Sequence, residues 1–366
     1  MPGPATSAER HTTAHIRVAN AMQRRQLGRS DLEVTPICLG TMTWGEQNTL
    51  EEAFTQLDMA LDYGVNFIDN AEMYPVPPRA ATQGETERIL GAWFEARGVR
   101  DKVVLATKIA GPGNGIDYLR GGKTRFTAAE LEAALEASLA RLKTDYVDLY
   151  QLHWPVRSSN FFGRLGFPEG AEQGSVNLLE TLEGARRLVD SGKVRYIGIS
   201  NETPWGLMQY LNLSAEHDLP RVVSIQNPYN LLNRTFEVGL AEMSLREQVP
   251  LLAYSPLAFG MLTGKYHAEP DCNGRINLFS RFTRYKSALA FEATQAYLEL
   301  AAEFGLSPAT LAIAFVNARQ FVGSNIIGAT TLPQLEENLA ASEVSLTAEQ
   351  LRALDAVHAR FPNPCP

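Results

Sequence analysis

An α/β fold, and within it a (β/α)8 TIM barrel with a short N-terminal β-hairpin and long loops at the C-terminal face, is what this chain predicts. Two observations carry the prediction. Apolar stretches of buried-strand length recur eight times, at 36–39, 65–68, 103–106, 146–150, 196–199, 222–225, 251–253 and 325–327, with amphipathic helical patterns between them. The chain also exceeds the roughly 250 residues usual for such a barrel. Its surplus falls in the segments 109–126, 155–174 and 255–286, each after a strand and so on one face. An open doubly wound sheet is the alternative, weakened because no G-x-G-x-x-G follows the first strand and no Walker motif is present.

In chain order, residues 1–21 are rich in Pro, Ala, Thr and Ser, without apolar period and without the apolar core of a secretory signal. A disordered tail is expected there, with Met22 as the candidate functional start and 22–366 as one domain. Two short extended pieces around Gly28-Arg29-Ser30-Asp31 predict the hairpin. Pro36 to Leu39 is the first barrel strand and runs into Gly40, Thr41 and Met42. A helix over 51–63 stops at Gly64. Val65, Phe67 and Ile68 form the second strand, which Asp69 ends abruptly; Pro75, Pro77 and Pro78 then hold the chain out of regular structure.

A helix over 85–97 leads to the third strand, Val103 to Thr107, ending at Lys108. Leu131, Leu135, Leu139 and Leu142 mark one face of a helix over 128–142, with Thr127 and Glu130 as its capping box. The fourth strand runs from Tyr146 to Leu152 and ends at His153. The helix over 175–191 is expected to turn Val176, Leu179, Leu182 and Val189 inward and to stop at Ser191-Gly192. Further helices are expected at 204–217, 236–248, 287–304, 308–319, 333–341 and 347–359.

Composition narrows the function. Hydrophobic residues make up 45% of the chain, enough for a sizeable core, and the net charge of −8 argues against nucleic acid or an anionic membrane as the main partner. No apolar run reaches membrane-spanning length. Cys38, Cys272 and Cys365 are odd in number and far apart, with no C-x-x-C, which indicates neither a disulfide framework nor a zinc site and fits a reducing cytoplasm. His11 and His15 have helical metal-ligand spacing but sit in the polar tail.

The chemistry collects at strand ends. Asp69, Lys108 and His153 close three adjacent strands, and Tyr74 lies on the loop beyond the first of them. In a closed parallel barrel these ends meet on one patch. Singly, each has an ordinary alternative: a capping Asp, a surface Lys, a rim His, a packed Tyr. Together they can protonate an oxygen on which negative charge develops. A phenol, with an ordinary pKa of about 10, serves as a general acid when an ammonium favours the phenolate. Lys108 can supply that charge, Asp69 can hold Lys108, and His153 can donate to a substrate oxygen. None of the four delivers hydride, so carbonyl reduction here requires a nicotinamide.

On these residues the chain resembles the aldo-keto reductases, and N-A-E-M-Y-P-V-P-P, Q-L-H-W-P and 328–338 are where the likeness is densest. E-M-Y-P-V-P-P and S-R-F-T-R-Y are similar to the bacterial Tas-like branch. The resemblance implies Tyr74 as proton donor, tuned by Lys108 and Asp69, with His153 orienting the carbonyl. It implies NADP (as NADPH) as cofactor and places contacts at Gly40, Thr41, Met42 and Asp69. It puts the nicotinamide carboxamide on Ser200, Asn201 and Gln226, and its ring against Tyr254. The pyrophosphate loop would be Ser255, Pro256, Leu257 and Gly260, with Lys265 and Arg275 farther along. Gly328, Thr330, Gln334, Glu337 and Asn338 would hold the adenosine end. Thr331 stands where many relatives place Lys or Arg.

A small-molecule carbonyl substrate is expected, with Trp44, Trp154, Phe161, Phe162, Phe259 and Phe282 as candidate walls, and Arg157 and Arg164 as loop cations able to attract an acidic group. Reduction is expected to fail at high pH with an apparent pKa below that of free tyrosine. Two other classes compete: a cofactor-sensing regulatory barrel like the potassium-channel β subunits, and a lyase or aldolase using Lys108 as a Schiff base.

Overall fold

The computed structural model describes residues 22–113, 115–170 and 177–365. The expected tail at 1–21, with His11 and His15, lies outside the described residues, as does Val176. Two antiparallel strands, β1 (Arg25–Gln26) and β2 (Glu33–Val34), make the hairpin. Eight parallel strands follow: β3 (Ile37–Gly40), β4 (Phe67–Asp69), β5 (Val104–Ile109), β6 (Val147–Leu152), β7 (Val194–Ser200), β8 (Val222–Pro228), β9 (Leu251–Tyr254) and β10 (Val322–Ile327). They pair in sequence order, and β10 closes the barrel between β9 and β3.

The hairpin plugs one end. Leu27, Leu32 and Val34 pack with Cys38, Phe67, Ala106, Leu149, Val223, Leu252 and Ile326 in the barrel interior. Gly28 makes this seating possible: at φ +57 a Cβ would lie 2.3 Å from the Val223 carbonyl oxygen. Strand periodicity then decides what comes above. Two residues past Phe67, Ala106 and Leu149, on the same inward face, stand Asp69, Lys108 and Gln151. The apolar layer therefore gives way to a buried polar layer at the C-terminal end.

The helical layer follows the expected pattern, with differences that have local causes. Helix α1 (Leu50–Asp62) and α2 (Glu85–Arg97) flank β4; α3 (Ala128–Leu142) buries Leu131, Leu135, Leu139 and Leu142 and starts with the Thr127–Glu130 capping box. Such a cap is worth about 1 kcal/mol. In α4 (Leu178–Asp190) the inward residues are Leu178, Leu182, Ala185 and Leu188, so Leu179 and Val189, expected inside, are half-buried. After α5 (Pro204–Glu216), the helix expected over 236–248 is broken: a 3₁₀ turn covers Thr235–Val238, and α6 (Leu240–Glu247) begins after Gly239.

The long segment 255–286 contains a 3₁₀ stretch at Ala258–Thr263 and two single-turn helices, α7 (Lys265–Ala268) and α8 (Arg275–Leu278). Four more helices complete the chain: α9 (Ala288–Glu303), α10 (Pro308–Asn317), α11 (Leu332–Ala340) and α12 (Ala348–Arg360). Among the described residues no single helix is long and apolar enough to cross a membrane.

Candidate active site

Strand register builds the floor of the site. Gly40 pairs with Asp69, Asp69 with Ala106, Lys108 with Gln151, Gln151 with Gly198, and Ser200 with Gln226. Lys108 is completely buried, inside β5 rather than at its end. Its ammonium donates to Asp69 Oδ2 at 2.6 Å, to the Asn70 carbonyl at 2.8 Å and to Tyr74 Oη at 3.4 Å. Asp69 Oδ1 accepts from Gln151 Nε2 at 3.1 Å and Gln226 Nε2 at 2.8 Å. Gln151 was not singled out from the sequence. Its signal was alternation: Leu149, Gln151 and His153 occupy successive positions on one side of the fourth strand's run. Gly198 gives it room, since a Cβ there would meet Gln151 Cγ at 3.2 Å.

The loop that carries Tyr74 is tied down on both sides. Thr41 Oγ1 donates to the Asp69 carbonyl, Val76 N to the Met42 carbonyl, and Gly84 N to the Tyr74 carbonyl. Glu72 accepts from Ala110 N at 2.6 Å and pairs with Arg120, which locks the loop to the segment after β5. The peptide bonds Tyr74–Pro75 and Val76–Pro77 are cis.

Electrostatics follow from burial. For Lys108, burial acts to lower the pKa, but Asp69 and then Tyr74 outweigh it and the net direction is upward, so the amine stays charged. Burial pushes the Tyr74 phenol above its ordinary value; Lys108 pulls it back only in part, because Asp69 opposes Lys108. This reverses the direction expected from sequence, which counted the ammonium and not the desolvation. Burial, and then the Lys108 charge, hold His153 well below its ordinary value, so its imidazole is neutral. His153 Nδ1 is buried without a hydrogen-bond partner. A Schiff base needs a neutral amine open to substrate, whereas Asp69 and Tyr74 hold Lys108 charged and it does not line the cleft above it.

Above this floor opens a cleft of about 1200 Å³. Asp69, Tyr74 and His153 reach it, while Lys108 stays beneath. Gly40, Thr41 and Met42 line it beside them, and Ser200, Asn201 and Gln226 line it across the barrel. Asn201 takes a left-handed conformation, φ 55, and its side chain donates to the His153 carbonyl and accepts from Tyr254 Oη at 2.6 Å. Ser255, Pro256, Leu257 and Gly260 form the next part of the wall, followed by Lys265 and Arg275. Gly328, Thr330, Gln334, Glu337 and Asn338 complete it at the start of α11.

A phosphate-bearing dinucleotide fits this donor set. Burial lowers the pKa of both Lys265 and Arg275, and among the described residues neither has a carboxylate within ion-pair distance. A Cβ on Gly328 would meet nothing closer than the Gly40 carbonyl at 4.0 Å, so the bare backbone leaves space open there.

The aromatic walls divide. Trp154, Phe161 and Phe162 line the cleft in edge contact, with Trp154–Phe162 centroids 5.6 Å apart. Phe259 and Phe282 line it on the 255–286 side, beneath the Arg275 guanidinium. Trp44 does not belong with them. It is fully buried in the core between strands and helices, with Nε1 donating to Gln56 at 3.0 Å. The reading of Arg157 as a substrate attractor also falls, because both its terminal nitrogens are spent on Glu202, at 2.8 and 2.6 Å. Arg164 is exposed beside a separate small hollow.

The sequence profile described as "Aldo/keto reductase family" matches residues 36–359. The chain belongs to the aldo/keto reductase family. It is 48% identical over 346 residues to Protein tas of Escherichia coli (strain K12), covering 94% of this chain and 100% of the relative, which sets it in the Tas-like branch. It is 36% identical over 279 residues to an aldo-keto reductase of Babesia bovis, covering 72% of this chain and 98% of the other. It is 34% identical over 351 residues to the uncharacterized oxidoreductase YrpG of Bacillus subtilis (strain 168), covering 94% and 97%. As a member of the aldo/keto reductase family the protein is an oxidoreductase.

Proposed function

We propose that this aldo/keto reductase is an NADPH-dependent reductase of an aldehyde or ketone, with Tyr74 as proton donor. The observation that carries the reading is the buried chain Asp69–Lys108–Tyr74 at the floor of a cleft rimmed by unpaired cations. Bound at Ser200, Asn201, Gln226 and Tyr254, the nicotinamide would supply the hydride. As negative charge grows on the substrate oxygen, the Tyr74 phenol gives up its proton, and the Lys108 ammonium stabilises the phenolate left behind. Asp69 keeps Lys108 in place, and Gln151 and Gln226 keep Asp69 in place. Neutral His153 offers an N–H to the same oxygen and fixes its position.

Lys265 and Arg275 support a 2′-phosphate, hence NADPH over NADH by about tenfold or more, the scale of a charge-assisted hydrogen bond. A small carbonyl compound, not nucleic acid or a membrane, is the proposed partner, and the cytoplasm the proposed location. The net charge and the three free cysteines support that placement. Tyr74→Phe is the test: turnover falls by about a hundredfold or more while NADPH still titrates the protein fluorescence with a similar Kd. Undiminished turnover removes Tyr74 from the chemistry, and absence of cofactor-dependent reduction in the wild type across a carbonyl panel moves a regulatory role ahead.

A further inference from the structure

The cleft holds more positive charge than the proposed cofactor contacts use. The motif Arg281-Phe282-Thr283-Arg284-Tyr285 adds two guanidinium groups to its lining. Among the described residues no carboxylate lies within ion-pair distance of either. The acidic residues in the lining are themselves engaged: Asp69 with Lys108, and Glu337 with the Ser307 hydroxyl at 2.6 Å. A chain of net charge −8 thus concentrates cations in this cleft.

Arg284 is half-buried, and its Nη1 is buried without a hydrogen-bond partner. Burial works against its charge, the neighbouring Tyr254 and Tyr285, to which its side chain also hydrogen-bonds, act the other way, and the net direction is upward. Its place in the fold is specific. A Cβ on Gly163 would lie 3.4 Å from Arg284 Nε. Gly163 follows Phe162, whose ring meets Trp154 at 5.6 Å; Trp154 meets His153 at 4.8 Å, and His153 meets Tyr74 at 5.9 Å. An unbroken wall therefore leads from the phenol to the guanidinium. Arg281 approaches from another side. Its charge reaches Tyr118, whose hydroxyl is buried without a partner and whose ring packs on the cluster of Met73, Tyr74, Ile116 and Trp154.

We propose that the substrate is a carbonyl compound that also carries an anionic group, a carboxylate or phosphate monoester, and that Arg284, assisted by Arg281, binds that group while the carbonyl reaches Tyr74. This rests on the reductase reading and narrows its substrate class. A planar guanidinium suits either anion through paired N–H donors. Arg284 lies against Tyr254 and Gly163, where it can read a substrate's far end without touching the reacting oxygen.

The test uses two matched pairs with NADPH: formylbenzoate against its methyl ester, and formylphenyl phosphate against methoxybenzaldehyde. The wild type is expected to favour the anion in at least one pair by about tenfold or more in kcat/KM, and the favoured pair identifies the anion. Arg284→Met lowers that preference by about tenfold, mainly through KM, with a much smaller loss on the neutral partner. Arg284→Lys keeps the charge but not the fork and recovers part of the preference. A merely structural role would penalise both members alike.

No anion preference in either pair overturns the proposal. So does an equal loss on both members in Arg284→Met, and so does a raised NADPH Kd that accounts for the loss, which would assign Arg284 to the cofactor. If the wild type reduces nothing, the reductase reading fails separately. Calorimetric titration of benzoate and of phenyl phosphate into the NADPH-mixed protein then decides the anion site. Binding of either that Arg284→Met abolishes supports it, and binding absent or unchanged in the variant overturns it.

Discussion

Replacing Lys108 by Met removes one charge from the centre of the site and leaves its shape nearly intact. The ammonium sits completely buried, 2.6 Å from Asp69 Oδ2 and 3.4 Å from the Tyr74 oxygen. At an effective dielectric of about 20, a unit charge 3.4 Å from a phenolate oxygen is worth about 5 kcal/mol. Asp69 opposes part of that, so a working figure of about half remains, close to a hundredfold in rate. Stability suffers as well. Asp69 keeps only the amides of Gln151 and Gln226, and losing one partner of a buried ion pair costs about 3–5 kcal/mol.

The pH profile gives the sharper signature. Tyr74 must be protonated to donate, so activity falls as pH rises through its pKa. Burial already sets that pKa above the ordinary tyrosine value, and removing Lys108 takes away what pulls it down. The high-pH limb of the wild type should therefore shift upward in the variant, with the plateau lowered. The assay is kcat/KM against pH at saturating NADPH, with the NADPH Kd measured by fluorescence to show an intact cleft. A variant within about threefold of wild type, with the limb unmoved, would refute the role given to Lys108.

Three further outcomes follow. Arg275→Met should weaken NADPH by about ten- to a hundredfold and NADH much less, because a 2′-phosphate loses a charge-assisted partner; equal weakening of the two dinucleotides in parallel titrations would contradict it. His153 has a depressed folded pKa, so its neutral form is matched to the fold above the unfolded value of about 6.5, and stability declines as pH falls below that by up to about 1.4 kcal/mol per pH unit. Urea unfolding between neutral and acid pH should show this slope in the wild type and a shallower one in His153→Gln, and identical slopes would remove His153 as its source. Trp44→Phe should cost about 1–3 kcal/mol by stranding the buried Gln56 acceptor, read as a lower urea midpoint; a changed ranking of substrates would instead return Trp44 to the cleft.

Much of the architecture could be read from local pattern. Eight apolar stretches and the stripe Leu131, Leu135, Leu139 and Leu142 report burial directly, because each strand or helix must turn one face to the core. Caps such as Thr127–Glu130 act within one helical turn, so they too are visible in the chain. Local signals are weaker at two places. Gly239 interrupts an otherwise helical run, and the neighbours of α4 chose Leu178 over Leu179 as the buried residue.

For this protein the order of strands, the family and the four polar residues at the barrel's C-terminal end were set down in the sequence alone, since strand alternation and strand ends are matters of a few neighbouring residues. Which partners those residues meet was decided only by the closed barrel. Gln151 behind Asp69 and the salt-bridged Arg157 depend on residues 82 and 45 positions away, and the withdrawn Trp44 and the placing of Arg284 beside Gly163 likewise follow from how the elements pack. The direction of the Tyr74 shift belongs to the same class, because desolvation is set by the whole surrounding fold and by no single neighbour.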